Sequence, residues 1–504
     1  MDVLSYGTLA RIGYEGRLVP RDAPIKVLQF GEGNFLRAFV DRYFDLADEL
    51  TGWDGRVCMV QPASTDPAMA DGLNGQDCLY TVCTRGSEGG HTVDEVRVVS
   101  CCSGCLNPCR EEDYCAMMEI AVSDELEIIV SNTTEAGIVY DPSCRAGDTP
   151  PTSFPAKLAQ VLHERWAAGK DGVIVLPCEL IDDNAGELLR VVKLHVRDWG
   201  WEPAFGEWLE DSCTFCNTLV DTIVPGRVRD PAERAALEER LGYTDRFLTM
   251  REPFQMWGIE APSELGERLP FIQAGLPGAF LTSELAPYKK RKVRILNGSH
   301  TALAPGGWLA GIDIVRDCME DDVIGRFVEK LQQEEIIPAL SGELDLDDLE
   351  EFAAAVGDRF VNPFIDHQLL SICLNSTSKW RTRDLPTLLD LVESTGGVPR
   401  CLATSLSLLI AFYTTGFEGR DGEGLHLRRA DGTAYTAQDD AFVLDFYAGR
   451  AGEPDDALVA DVLSCEQMWG RDLTEIAGLE DIVTEGLATV RTQGAKAAFA
   501  SCLG

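Results

Sequence analysis

Between Ile25 and Phe30 the chain is mostly apolar, breaks at Gly31 and Gly33, and then repeats apolar residues at Leu36, Phe39, Val40, Tyr43, Phe44 and Leu46. A short apolar run bounded by glycine predicts a buried strand, and the later spacing of three and four predicts a helix. A second strand-like run, RVCMVQP at 56–62, completes a βαβ unit. Further strands are predicted at 95–100, 126–132 and 172–180, with a helix over 155–169. Strands alternating with helices predict a doubly wound parallel sheet whose ligand lies at the carboxyl ends of the strands.

The pattern changes after about residue 295. DVIGRFVEKLQQEEIIPAL, LDDLEEFAAAVGDRF, LPTLLDLVEST and LATSLSLLIAFYTTG all carry helical periodicity, and strand patterns fade. The predicted fold is therefore an α/β Rossmann-type domain over 1–292 followed by a mostly α-helical domain over 293–504. The stretch KVRILNGSHTAL, 292–303, reads as an apolar strand from Lys292 leading into a helical turn that bears Asn297 and His300. The glycine-rich stretch at 416–433 reads as an excursion between helices.

A chain of 504 residues exceeds what one hydrophobic core supports, in agreement with two domains. Its charge sharpens the functional reading more than its length does. Against 44 Lys and Arg stand 83 Asp and Glu, a net of −39, and such a field repels phosphate backbones and anionic lipid. Nucleic acid and membrane are thereby excluded as expected partners, and an anionic substrate needs a dedicated basic pocket. No basic-then-apolar leader is read at the N-terminus, and the most apolar later stretch, 401–417, is too short and too rich in Ser and Thr to span a bilayer. A cytosolic protein with reduced thiols is expected, despite 17 cysteines. CCSGCLNPC, with Cys101, Cys102, Cys105 and Cys109, leaves two readings: part of a zinc site, with Cys213 and Cys216 as a second pair, or a cysteine-rich surface loop.

Three places carry candidate chemistry. GEGNFLRA sets Gly31, Glu32, Gly33, Asn34, Phe35 and Leu36 between a strand and a helix, where glycine lets main-chain N–H groups approach a pyrophosphate. Leu36 occupies the place of a third glycine, so an ordinary strand-to-helix turn stays open as a reading. Gln61 ends the second strand where an acidic ribose ligand is expected, Asp66 follows five residues later, and no arginine stands ready for a 2′-phosphate; NAD is favoured over NADP. Lys292, Asn297 and His300 supply a base and hydrogen-bond donors for metal-free hydride chemistry. Spacing alone equally allows a surface lysine in KKRK and an asparagine that caps a helix.

QFGEGNFLRAF, SNTTEAGI, FPAKL, LPCELIDDNAGEL, NTLVDTIVPG, KVRILNGSHTAL and RFVNPFIDHQLLSICLNSTSKWRTR occur in the order in which similar segments occur in the mannitol dehydrogenase family of long-chain polyol dehydrogenases. The resemblance runs from about residue 24 to the last helices. It implies NAD as cofactor, no metal, and reversible reduction of a keto sugar acid, D-tagaturonate, to D-altronate. It further implies Lys292 as acid/base, Asn297 and His300 as its companions, Asn184 as a second donor to the substrate oxygen, Asp221 on the substrate side and Glu135 near the site entrance. The family's Cys-Asp-Asn segment reads Cys178-Glu179-Leu180 here, Ala185 replaces a glycine, and Thr222 replaces an arginine. The Cys-Glu-Leu version points away from a mannitol or fructuronate enzyme, and that sister activity stays the close rival, told apart by whether a carboxylate is required. SKWRTR offers Lys379, Arg381 and Arg383 for the carboxylate of the acid. A dinucleotide-binding redox sensor is the rival from another class.

Overall fold

The computed structural model describes residues 1–228 and 230–503, and of Glu135 the backbone alone. The side chain of Glu135 thus lies outside the described residues. By backbone contact the chain forms two units, one of residues 1–85 and 92–285, the other of 86–91 and 286–504.

In the first unit six strands form one sheet: β1 (Ile25–Phe30), β2 (Arg56–Val60), β3 (Cys102–Leu106), β4 (Ile128–Ser131), β5 (Ile174–Pro177) and β6 (Thr214–Phe215). Their order is β3-β2-β1-β4-β5-β6, and every neighbouring pair is parallel. This is the doubly wound order, in which the chain leaves β1 in one direction and resumes at β4 on its other side. Helices cover both faces, among them α1 (Asn34–Ala38), α2 (Val40–Thr51), α3 (Phe154–Ala167) and α4 (Asn184–Asp198). Side chains alternate between the two apolar layers: Val27, Val57, Ile128 and Ile174 enter one, and Leu28, Cys58, Ile129 and Val175 the other. Burial on both faces is why these strands read as nearly continuous apolar runs.

Two expectations for this unit are corrected. Residues 95–100 do not join the parallel sheet; they end the strand His91–Val99, which pairs in a separate three-stranded sheet. The place beside β2 belongs to the first part of the cysteine stretch, which is buried strand, while Cys109 lies exposed in the turn that follows. Cys102 lies opposite Val57 and Cys105 opposite Met59, and Cys101, Cys102 and Cys105 are fully buried. Uncharged cysteine behaves as a small apolar residue, and here it packs an edge strand. No group of three or more His, Cys, Asp or Glu arranged for a metal occurs among the described residues.

The second unit is mostly helical. It contains α5 (Ser299–Leu309), α6 (Leu346–Phe360), α7 (Ser376–Arg383), α8 (Leu385–Thr395), α9 (Arg400–Thr414) and α10 (Leu479–Gln493). Residues 401 to 413 of α9 are all buried, which makes this apolar helix the centre of the unit rather than a membrane span. No described helix is long and apolar enough to cross a membrane. Gly486 lets α10 approach α9 closely: a Cβ there would lie 2.4 Å from Ser407 Oγ, which donates to Val483 O at 3.0 Å.

Here too the sequence reading needs amendment. The 416–433 excursion contributes to a three-stranded antiparallel sheet of Gly419–Arg420, Leu425–Arg428 and Ala434–Ala437. Leu425 and Leu427 are buried while His426 and Arg428 are not, an alternation too short to register against the surrounding glycines. More consequential is the segment Lys292–Gly298. It is not a strand but seven residues of π-helix, continuous with Ala286–Arg291 before it and α5 after it.

Candidate active site

The π-helical segment explains the spacing of the motif it carries. In an α-helix, residues five apart point about 140° away from each other. Hydrogen bonds from i to i+5 widen the turn and bring such residues toward one face. Lys292 and Asn297 are five apart and span one wide turn. Asn297 and His300 are three apart, at the return to α-helix, where that spacing again falls on one face. Lys292 and Asn297 are both half-buried. The side-chain amide of Asn297 makes no hydrogen bond among the described residues, while its carbonyl oxygen accepts from Thr301 Oγ1 at 2.9 Å.

His300 is almost fully buried. Its ring stacks on Phe360 at 4.1 Å between centroids and meets His367 edge-on at 5.0 Å. Burial first, and then His367 and the cations of Arg359, Arg383 and Lys379, push its pKa well below the ordinary histidine value. The imidazole is therefore neutral at physiological pH, and its buried Nε2 has no hydrogen-bond partner among the described residues. An aromatic-stacked, neutral ring with one uncommitted nitrogen is suited to a polar ligand atom, since burying it unpaired is costly.

Of the cations beside His300, Arg359 belongs to α6, and Lys379 and Arg383 come from α7. Lys379 and Arg383 are four apart on one face; Lys379 Nζ donates to Ile372 O at 2.8 Å and Arg383 Nη1 to Thr301 Oγ1 at 3.1 Å. Burial lowers the pKa of both, with Arg383 adding to the effect on Lys379. Arg381 lies between them in sequence, on another face, and is exposed. The helical period thus joins Arg383, not Arg381, to Lys379.

The residues expected in the first unit sit at the carboxyl ends of its strands. Gly31 follows β1 with φ of 132°, and a Cβ there would lie 2.7 Å from Leu36 Cδ1 and 2.9 Å from Asn132 O. Gly33 is exposed, and a Cβ there would meet nothing within 4 Å, so its face is open. A tight turn with an open glycine beside it fits the approach of a pyrophosphate to main-chain N–H groups. Arg37, which sequence reasoning missed, holds this turn from behind: it donates to Glu32 O at 3.0 Å, Asn34 Oδ1 at 2.7 Å and Phe247 O at 2.5 Å. Phe35 packs on Phe39 at 5.2 Å, and Leu36 is buried. Gln61 takes no outward role; its amide donates to Glu32 Oε1 at 3.2 Å and accepts from Asn107 Nδ2 at 3.0 Å.

Asn184 stands differently from its expected role. It is buried, its Nδ2 donates to the carbonyls of Pro177, Glu179 and Thr218, each at 3.1 Å, and its Oδ1 accepts from Thr218 N at 3.1 Å. Both amide protons are committed to the main chain, which leaves none for a substrate oxygen in this geometry. Glu179 is a second internal anchor: its carboxylate accepts from Ser131 Oγ, Thr133 N and Thr133 Oγ1 at 2.9–3.0 Å and so fixes the turn after β4. Burial raises its pKa, and those donors oppose the rise. Asp221 ends the strand Thr218–Asp221 and is buried. The helical spacing of Lys379 and Arg383 was the one available signal for the latter; nothing local in sequence distinguishes Arg37, Phe360 or His367.

Residues 25–272 match the family model of the mannitol dehydrogenase Rossmann domain, and residues 284–491 that of the mannitol dehydrogenase C-terminal domain. Among curated relatives, an altronate oxidoreductase of Pectobacterium carotovorum subsp. carotovorum (strain PC1) is 43% identical over 502 residues, covering 97% of this chain and 99% of the relative. Another, from Phocaeicola vulgatus, is 38% identical over 476 residues, covering 94% and 95%. Among solved structures, D-sorbitol dehydrogenase in substrate-free form aligns with TM-score 0.79 at 21% identity, over 99% of this chain and 100% of that one. The Pseudomonas fluorescens mannitol 2-dehydrogenase ternary complex with NAD and D-mannitol aligns with TM-score 0.65 at 23% identity, over 100% and 99%. These two structural likenesses concern the fold.

Proposed function

The chain belongs to the mannitol dehydrogenase family, and from that premise we propose that it is an NAD-dependent reductase interconverting D-tagaturonate and D-altronate. The observation that carries the substrate class is the pair Lys379 and Arg383 beside a neutral His300, a local basic site in a chain of net charge −39. A neutral polyol can accept hydrogen bonds from such a pair but brings no charge to it, whereas a carboxylate gains both the hydrogen bonds and the ion pairing. The name shared by the curated relatives, altronate oxidoreductase, supports the same reading. The ligand is accordingly a small anionic sugar acid, met in the cytoplasm, with neither nucleic acid nor membrane as partner.

The Gly31–Leu36 turn would hold NADH, whose chemistry when bound would be hydride donation to the ketone carbon next to the terminal hydroxymethyl group. Lys292 as an ammonium gives its proton to the oxygen that becomes the alcohol, and in the reverse direction takes it back. Asn297, with its amide uncommitted, donates a hydrogen bond to that oxygen as charge builds on it. His300 holds a sugar hydroxyl through Nε2, and Lys379 with Arg383 fixes the far end of the chain through its carboxylate. Asn184 acts by keeping the ends of β5 and of Thr218–Asp221 together. Arg381 and Asp221 are retained as substrate-side residues at the outer edge of this assignment.

The decisive assay is NADH oxidation by the purified protein, without added metal, offered D-tagaturonate, D-fructuronate and D-fructose in parallel. Rapid turnover of tagaturonate is the expected result. Preference for fructose would keep the chemistry and remove the carboxylate site; preference for fructuronate would keep both and change the isomer. No turnover of any would favour the redox-sensor reading.

A further inference from the structure

Asp384 immediately precedes α8 and lies against the π-helical segment. It is 1% exposed, and neither of its carboxyl oxygens has a hydrogen-bond partner among the described residues. A Cβ on Gly298 would lie 2.8 Å from Asp384 Oδ1, so the carboxyl packs directly on the residue after Asn297. As the residue that caps α8 it is placed to accept first-turn amide protons, yet it accepts none. The adjacent guanidinium does not pair with it either; Arg383 Nη1 donates to Thr301 Oγ1. A carboxylate without donors or a paired cation is strongly disfavoured in such a place.

We propose that Asp384 is a positioning residue, held as a neutral carboxylic acid against Gly298, which spares Lys379 and Arg383 a further buried counter-charge and keeps them for the carboxylate of a sugar acid. The named ligand rests on the function proposed above; the protonation state does not. Burial holds the pKa of Asp384 well above the usual carboxylate range, and Arg383 only partly opposes it. The titratable groups around the basic pair are Arg383 and Lys379 on α7, His300 on α5, Arg359 on α6, His367 and Cys373 before α7, and Asp439, whose carboxylate accepts from Thr377 N and the Tyr413 hydroxyl. Both histidines have lowered pKa values and stay neutral, burial pushes the Cys373 thiol up, and Asp439 is held by its own donors, so Asp384 is the carboxyl here without donors whose ionisation would add a buried negative charge. That charge would cancel one of the two cations and press a desolvated anion against the segment bearing Asn297.

The test compares the parent enzyme with Asp384→Asn and Asp384→Ala. Because the folded protein keeps a proton that the unfolded chain releases, the parent loses stability as pH rises above the unfolded carboxylate value, and Asp384→Asn does not. The Tm difference, variant minus parent, should therefore grow from about pH 5 to pH 9. In the second measurement, Asp384→Ala leaves a gap beneath Gly298 and lowers kcat on every substrate, and Asn restores it. At alkaline pH the KM of the parent for D-tagaturonate should rise to roughly ten times that of Asp384→Asn, with no such divergence for D-fructose. Lys379 loses charge in both proteins, so the ratio isolates Asp384. A pH-independent Tm difference, or a lower KM of the Asn variant for tagaturonate already near pH 6, would show an ionised carboxylate and overturn the proposal. Turnover of fructose with none of tagaturonate would overturn the sugar-acid ligand, while the Tm series would still decide the protonation state.

Discussion

Asn184 and Lys292 were expected to share one task, and their surroundings give them different ones. Every proton of the Asn184 amide is held by a main-chain carbonyl, and its removal takes the acceptor from Thr218 N and one donor from each of three carbonyls, of which Pro177 O keeps Thr218 Oγ1 and Glu179 O keeps Ile181 N. Unsatisfied buried groups of this kind cost about 1–3 kcal/mol each, partly recovered by relaxation. Asn184→Ala should thus lower stability by roughly 2–4 kcal/mol, read by denaturant unfolding, with any fall in turnover tracking the loss of folded protein. Lys292→Ala should instead lower kcat by about a hundred- to ten-thousand-fold, the span of general acid–base contributions, while NADH still binds as in the parent. A folded, stable Asn184→Ala protein with kcat reduced as deeply as in Lys292→Ala would return Asn184 to the substrate oxygen.

At the scale of elements, what the sequence makes legible depends on how long a pattern runs. β1, β2, β4 and β5 are apolar on both faces over four to six residues and are bounded by turn residues, so they are readable without a structure. The helical second unit is readable for the same reason, from amphipathic repeats such as Leu349, Phe352, Ala353 and Val356. Lys292–Gly298 defeats this kind of reading because Val293, Ile295 and Leu296 mimic a strand, and a π-turn is set by tertiary packing rather than by local preference. The cysteine stretch fails differently: spacing suggests metal ligands, and only burial shows Cys102 and Cys105 to be strand residues. Desolvation raises the pKa of Cys101, Cys102 and Cys105, which makes them poor nucleophiles as well as inaccessible ones. A thiol reagent applied to the native enzyme should label the exposed Cys109 and Cys115 first, as mapped by peptide mass spectrometry. Early labelling of Cys102 or Cys105 would mean that β3 opens in the native state.

For the molecule as a whole, a charge of −39 and an anionic substrate set two electrostatic effects against each other. At an ionic strength of about 0.01 M the Debye length is about 30 Å, so an approaching sugar acid feels the repulsion of the entire surface. At about 0.1 M the length falls to about 10 Å, and the acid senses chiefly the charges near its proposed destination, Lys379 and Arg383. At about 1 M, with a length of about 3 Å, contact between that pair and the carboxylate is weakened as well. The kcat/KM for D-tagaturonate should therefore rise from the lowest salt to the intermediate one and fall again at the highest. For D-fructose, which has no charge to steer, the same series should be flat. A monotonic fall for tagaturonate would mean that local attraction already dominates at long range, because the acidic surface is arranged away from the approach. A monotonic rise would mean that the acid meets no effective cation at its end, which would remove the observation on which the substrate assignment stands.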